Sequence, residues 1–195
     1  MAMNRIIRRR VTVDVREEFV VLLIGMRINK LWKVHRWLPV ALSMRTMVAQ
    51  LGKLRSDIGY LGGEYGTVGN PIVFIQYWRS YDCLERYASH EGLHHRKTWK
   101  WFFRKIALNG DVGIYHEAYR ISPGNYECVY LNMPQFGLGR LFPLVEADKG
   151  FVSSRGRMEK WPENPPASDV PAEAAVRKPK ECIPTTRTTG IPDHE

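Results

Sequence analysis

Two histidines stand where side chains of their type do chemistry. His116 lies in DVGIYHEAY, a segment that alternates as a strand, and it shares one side with Val112, Ile114 and Ala118. An imidazole on an otherwise apolar face serves as a general base, as an axial haem ligand, or as a core group bonded to a backbone carbonyl. His95 heads a second stripe. Trp99, Phe102 and Ile106 follow it at i+4, i+7 and i+11, the spacing of one helix face. A histidine on a helix and another on the sheet beneath would face one cavity between the layers. The catalytic candidates are therefore His116 and His95, with His94 expected to face solvent.

Five residues are candidates for holding a substrate in such a cavity. Trp99 and Phe102 share the His95 stripe, Trp78 and Tyr130 add indole and phenol donors, and Asn132 either bonds a substrate carbonyl or caps the turn before Pro134. For most of the neighbouring aromatics, among them Tyr77, Tyr119 and Tyr126, core packing with a satisfied polar tip is the expectation. Glu117 alternates away from His116 and is expected to pair with Arg27 or Arg79 on the opposite side. The run His90-x-x-x-His94-His95 has the i, i+4 spacing of a zinc pair, but Gly92 interrupts it and no third ligand is evident, so no metal site is expected. The glycine-rich stretch IGYLGGEYGTVG is followed by neither a Lys-Ser nor a helix and does not read as a phosphate loop.

The elements that would position these groups are legible in order. Phe19–Ile28 is apolar on both alternating sets, so it reads as a strand covered on both sides. Val40–Leu54 carries Val40, Met44, Met47, Val48 and Leu51 at helical spacing, with Pro39 expected in its first turn. Ile58–Gly69 and Ile72–Arg79 read as the next two strands, separated by the Asn70-Pro71 turn. Ser80 is placed to cap a second helical region that Gly92 divides and Asn109-Gly110 ends. Asp111–Ile121 is then the fourth strand, and Tyr126–Met133 reads as an extra fifth one. Strand–helix–strand–strand–helix–strand is the ferredoxin-like βαββαβ order, an α+β class. Such a sheet carries helices on one face only. Because these strands are apolar on both, a second copy of the sheet is expected to cover the other, giving a homodimer.

Size and composition bound the rest. A chain of 195 residues with 44% hydrophobic and 25% charged residues has room for one domain and a tail. The boundaries expected are a basic arm over 1–18, a domain over 19–145 with PQFGLGRLFPLVEA wrapping the core or the partner, and a disordered tail over 153–195, rich in Pro, Glu, Lys, Ser and Thr. The net charge of +9 is scattered, with concentrations at Arg5–Arg10 and His94–Lys105 and no nucleic-acid motif, so nucleic acid is not expected as a partner. Three widely spaced cysteines argue against a disulfide framework and for a reduced, cytoplasmic setting. The apolar run FVVLLIGMRI is far short of the roughly 20 residues a membrane span needs, so no transmembrane segment is expected. Peripheral contact through the basic N-terminus stays open.

Several stretches together resemble a known family: FVVLLIGMRINKLWK from Phe19, WLPV from Trp37, QYWRS from Gln76, His95-x-x-x-Trp99-x-x-Phe102, GDVGIYHEAY from Gly110 and NMPQFGLG from Asn132. They are similar to a monooxygenase-like family of bacterial and fungal proteins in the dimeric α+β barrel superfamily, over roughly residues 11–145. Lys97 departs from the pattern, which usually has proline at that place. The resemblance implies the dimeric barrel fold and a tailoring role in secondary metabolism. The wider superfamily holds cofactor-free quinone-forming monooxygenases, haem-degrading enzymes, haem-bearing aldoxime dehydratases, polyketide cyclases and proteins that only bind. The expectation is thus a monooxygenase-like enzyme acting on a hydrophobic polyketide- or terpenoid-like substrate without a cofactor. A cyclase or isomerase, a haem-dependent dehydratase and a ligand carrier remain as alternatives.

Overall fold

The computed structural model describes residues 5–90, 94–105, 109–148 and 150–159. Its organising strand is β2 (Phe19–Ile28), a run of β-branched and aliphatic residues that the rest of the sheet pairs on both edges. The central sheet contains β3 (Tyr60–Thr67), β4 (Ile72–Trp78), β2 and β5 (Val112–Ile121), in that spatial order, with every neighbouring pair antiparallel. The two crossovers are α1 (Val34–Leu54) and the pair α2 (Tyr81–Ser89) and α3 (His94–Lys105). This is the ferredoxin-like βαββαβ arrangement the sequence predicts.

The helix-side core is built on the even-numbered residues of β2. Val20 and Leu22 pack with Phe74, Trp78, Leu51 and Leu84, and Met26 with Val40, Phe102 and Val112. Trp78 is fully buried, and its Nε1 donates to Gln76 Oε1 at 3.0 Å. α1 starts earlier than the pattern suggests, at Val34. Pro39 therefore sits in the second turn rather than the first, and the helix forgoes the bond its N–H would make to the His35 carbonyl. The six added residues continue the buried stripe only through Trp37, which is why periodicity did not reveal them. Ser80 caps α2 as expected, its Oγ accepting from Cys83 N–H at 3.2 Å.

The opposite face of the sheet differs from expectation. The stretch Tyr126–Met133 is not a fifth strand of the sheet. It runs against the N-terminal arm, with isolated bridges from Tyr130 to Val11 and from Met133 to Ile7. The arm itself is structured from Val11: β1 (Val11–Val13) pairs with β6 (Leu144–Glu146), and Val11, Val13 and Val15 are buried. Tyr126 ties this layer together, accepting from Val15 N–H at 2.9 Å and donating to the Val13 carbonyl at 3.0 Å. With α4 (Leu138–Leu141), this layer covers Phe19, Val21, Tyr77 and Ile121. The chain's own wrap thus does part of what a second copy was expected to do. Within the span expected to be a disordered tail, Ser154–Glu159 forms α5 and Arg157, buried, bonds Glu127 and the carbonyls of Phe151 and Val152. Residues 160–195 lie outside the described residues. Cys83 is disulfide-bonded, where the cysteine spacing argues against a disulfide framework; Cys128 is a free thiol. No helix among the described residues is long and apolar enough to cross a membrane.

Candidate functional site

Strand register decides where His116 points. It pairs with Ile24, and Ala118 pairs with Leu22, so all four side chains lie on the helix-facing side of the sheet. β5 is an edge strand, with no further strand beside it among the described residues; His116 is accordingly exposed on one side while the other side looks under α2. There it borders a chamber of about 170 Å³, lined by Leu22, Ile24, Leu84, Ala88 and Ala118 and bounded by the polar groups of Tyr81, Glu85 and His116. Tyr81, Glu85 and Ala88 recur at i, i+4 and i+7, one face of α2.

Two smaller apolar spaces adjoin it. One, of about 40 Å³, lies between α1 and α2 over Phe74 and Gln76; the other, of about 30 Å³, lies between α1 and α3 against Phe102 and Trp101. Ile24 borders all three, and Met44 and Met47 of α1 separate the smaller two from each other. Unbranched methionines on a shared wall yield to a guest at little cost. Burial pushes the Tyr87 phenol, which lines the middle space, up to about 12, so it is a neutral phenol at physiological pH rather than a phenolate base.

The structure brings His116 and Phe102 to this cleft and sends other expected members elsewhere. Trp78 belongs to the sealed core with its donor already used. Tyr130 lies on the far side of the sheet, its hydroxyl accepting from Gly139 N–H at 3.2 Å, so it contributes to the wrap and not to the pocket. Asn132 is exposed at a left-handed turn (φ 56°), the turn role of its two readings. Glu117 does face away from His116, but it accepts from the Tyr119 hydroxyl at 2.6 Å instead of pairing with Arg27 or Arg79. His95 and Trp99 fall in α3, and their side chains lie outside the described residues. The sequence reading missed Tyr81 and Glu85. Their helical spacing was the available signal, but nothing in the chain says that α2 rather than α3 hangs over His116.

Relatives fit this architecture. The crystal structure of an aldoxime dehydratase complexed with butyraldoxime superposes with a TM-score of 0.53 at 19% identity, covering 65% of this chain and 38% of that one, a likeness of fold. The monooxygenase af470 of Aspergillus fumigatus is 32% identical over 78 residues, which are 40% of this chain. The matched stretch spans only 27% of that protein's length. The family model described as monooxygenase af470-like matches residues 19–138. That span runs from the first residue of β2 through the sheet, both crossovers and the start of the wrap. The protein belongs to the monooxygenase af470-like family.

Proposed function

We propose that this protein is a cofactor-independent oxygenase that takes a hydrophobic, ring-bearing secondary metabolite, of the polyketide or terpenoid kind, into the cleft beneath α1 and α2. The observation that carries the reading is the lining of the chamber: apolar walls, with His116 on the sheet and Tyr81 and Glu85 on the helix that faces it. A space of about 170 Å³ accepts roughly one six-membered ring, and the adjoining spaces along Met44 and Met47 accept its apolar extension. His116 removes a proton from an activated ring CH₂. The resulting electron-rich anion reacts directly with dioxygen: CH₂ becomes C=O, one oxygen atom stays in the product, and the other leaves as water with the two hydrogens. The apolar walls hold the substrate oriented.

Turnover of an electron-rich phenolic substrate, followed with an oxygen electrode and by product mass, tests this. One oxygen consumed per product and a mass gain of one oxygen less two hydrogens is the expected result. Turnover undiminished under strict anoxia sinks it and supports the second reading, a cyclase or isomerase, which the largely apolar lining of the adjoining spaces favours because shape and orientation would then do the work. A haem-dependent reaction is less well supported, since a chamber that accepts about one ring does not take four pyrroles beside His116 as it stands. A Soret band in the purified protein would reinstate it. We further propose a homodimer formed through the part of the second sheet face that the wrap leaves half-exposed, around Leu23, Ile75 and Tyr115; light scattering at a monomeric mass would refute this.

A further inference from the structure

The outward face of α1 is built the wrong way round for a helix facing water. Its inner stripe, Trp37, Val40, Ala41, Met44, Val48 and Leu51, is packed on the sheet and α3. Yet Val34, Leu38 and Leu42, spaced by four on the outside, are 46%, 40% and 52% exposed. The turn that leads into the helix adds Leu31 and Trp32, exposed to 67% and 75%. These are not frayed residues. Trp37 Nε1 donates to the Leu31 carbonyl at 2.9 Å, and Lys33 is tied to the buried carboxylate of Asp111 at 3.0 Å. The turn is held in place with its apolar side chains pointing out. A contiguous exposed apolar patch of this kind marks an interaction surface.

Charge identifies what it meets. From Phe19 to Ser56 the chain has no Asp or Glu, while it has seven Lys and Arg: Arg27, Lys30, Lys33, Arg36, Arg45, Lys53 and Arg55. Arg45 and Lys53 are exposed on α1. Lys30 and Lys33 share the single charge of Asp111, so that group is still net positive. α3, packed beside α1, is also free of acid from His94 to Lys105 and presents Lys100, Arg104 and the 58% exposed Phe103. A second copy of this face would set like charges against each other, and nucleic acid has no use for a leucine stripe. An anionic lipid surface satisfies both features: the leucines and Trp32 enter the acyl boundary, and the cations meet the headgroups.

We propose that the outer face of α1 and the Leu31–Trp32 turn dock this protein on anionic membranes as a peripheral protein. This surface is separate from the substrate cleft and independent of the reaction assigned to it. Sedimentation of the full chain with phosphatidylcholine vesicles, with and without about one-third phosphatidylserine, is the test. Strong, salt-sensitive binding to the anionic vesicles and little to the neutral ones is expected. The paired variant Leu38→Glu/Leu42→Glu, whose folding is checked by circular dichroism, is expected to bind about tenfold or more weakly. Bromine-labelled acyl chains are expected to quench tryptophan fluorescence in the native protein, and Trp32→Phe to lose most of that quenching. Three outcomes would overturn the proposal: no binding to anionic vesicles, binding by the paired variant equal to native, which would assign it to the basic N-terminal arm, or a fall in oligomeric mass in the paired variant without any vesicle binding, which would make the face a contact between copies.

Discussion

Replacing His116 by glutamine separates catalysis from folding on a scale that leaves little room for confusion. His116 is exposed on the edge strand of the described sheet, so the substitution opens no core cavity. The stability change expected for such a site is within about 0.5 kcal/mol. Substrate affinity should also survive, because the walls are Leu22, Ile24, Leu84, Ala88 and Ala118, none of which changes. A positioned general base, by contrast, is worth about 10²- to 10⁴-fold in rate, or about 3–5 kcal/mol of barrier at 1.36 kcal/mol per decade. The expected result is a kcat lower by two to four orders of magnitude with KM nearly unchanged and an unaltered unfolding midpoint. Oxygen uptake under saturating substrate measures the first, tryptophan quenching by substrate the second, and urea denaturation the third. A variant that turns over within about threefold of native, with binding intact, would refute proton abstraction by His116. Glu85→Gln, on the facing helix, should then be examined as the base instead.

Three further outcomes follow from the packing. Gly63→Ala should destabilise the fold by about 1–3 kcal/mol, because its Cβ would come 2.5 Å from the Ile75 carbonyl and 2.7 Å from the Phe74 ring, whereas Gly66→Ala, with nothing within 4 Å, should be nearly neutral in the same urea titration. Tyr126→Phe should cost about 1–3 kcal/mol in thermal unfolding, since it strands the Val15 N–H and the Val13 carbonyl in a buried layer. Asp111→Asn should be destabilising at neutral pH and not in acid. Burial pushes the Asp111 carboxyl up, but the ammonium groups of Lys33 and Lys30 outweigh it and hold the carboxyl below its ordinary 3.8. A carboxyl lowered by folding stabilises the native state fully above about pH 5 and loses that contribution as pH falls through the folded value. The melting temperatures of native and variant should therefore converge in acid; a gap that persists unchanged there would mean the ion triad is not its source.

The division between what the chain dictates locally and what assembly decides is plain in particular residues. Strand β2 is recognisable because ten residues apolar on both faces have no other home than the middle of a sheet. Ser80 is recognisable because a hydroxyl three residues ahead of a free N–H caps a helix wherever it occurs. The position of His116 beside Val112, Ile114 and Ala118 follows from the two-residue period of a strand alone. These are short-range facts, and the βαββαβ order is their sum. Tyr126–Met133 shows the limit. It has the composition of a strand, but whether it extends the sheet or binds the N-terminal arm depends on which edge is vacant in space. Tyr130 and Trp78 show it again: both are aromatic donors on apolar faces, and only the layer each one faces distinguishes a pocket wall from a sealed core. The sequence by itself determined the sheet, the helix faces and the side of β5 from which His116 projects, because those depend on period and propensity. Only the tertiary structure decided that α2 brings Tyr81 and Glu85 over that histidine, that the chain wraps its own second face, and that Leu38 and Leu42 are left outside, because these depend on how helices of fixed length cross a twisted sheet.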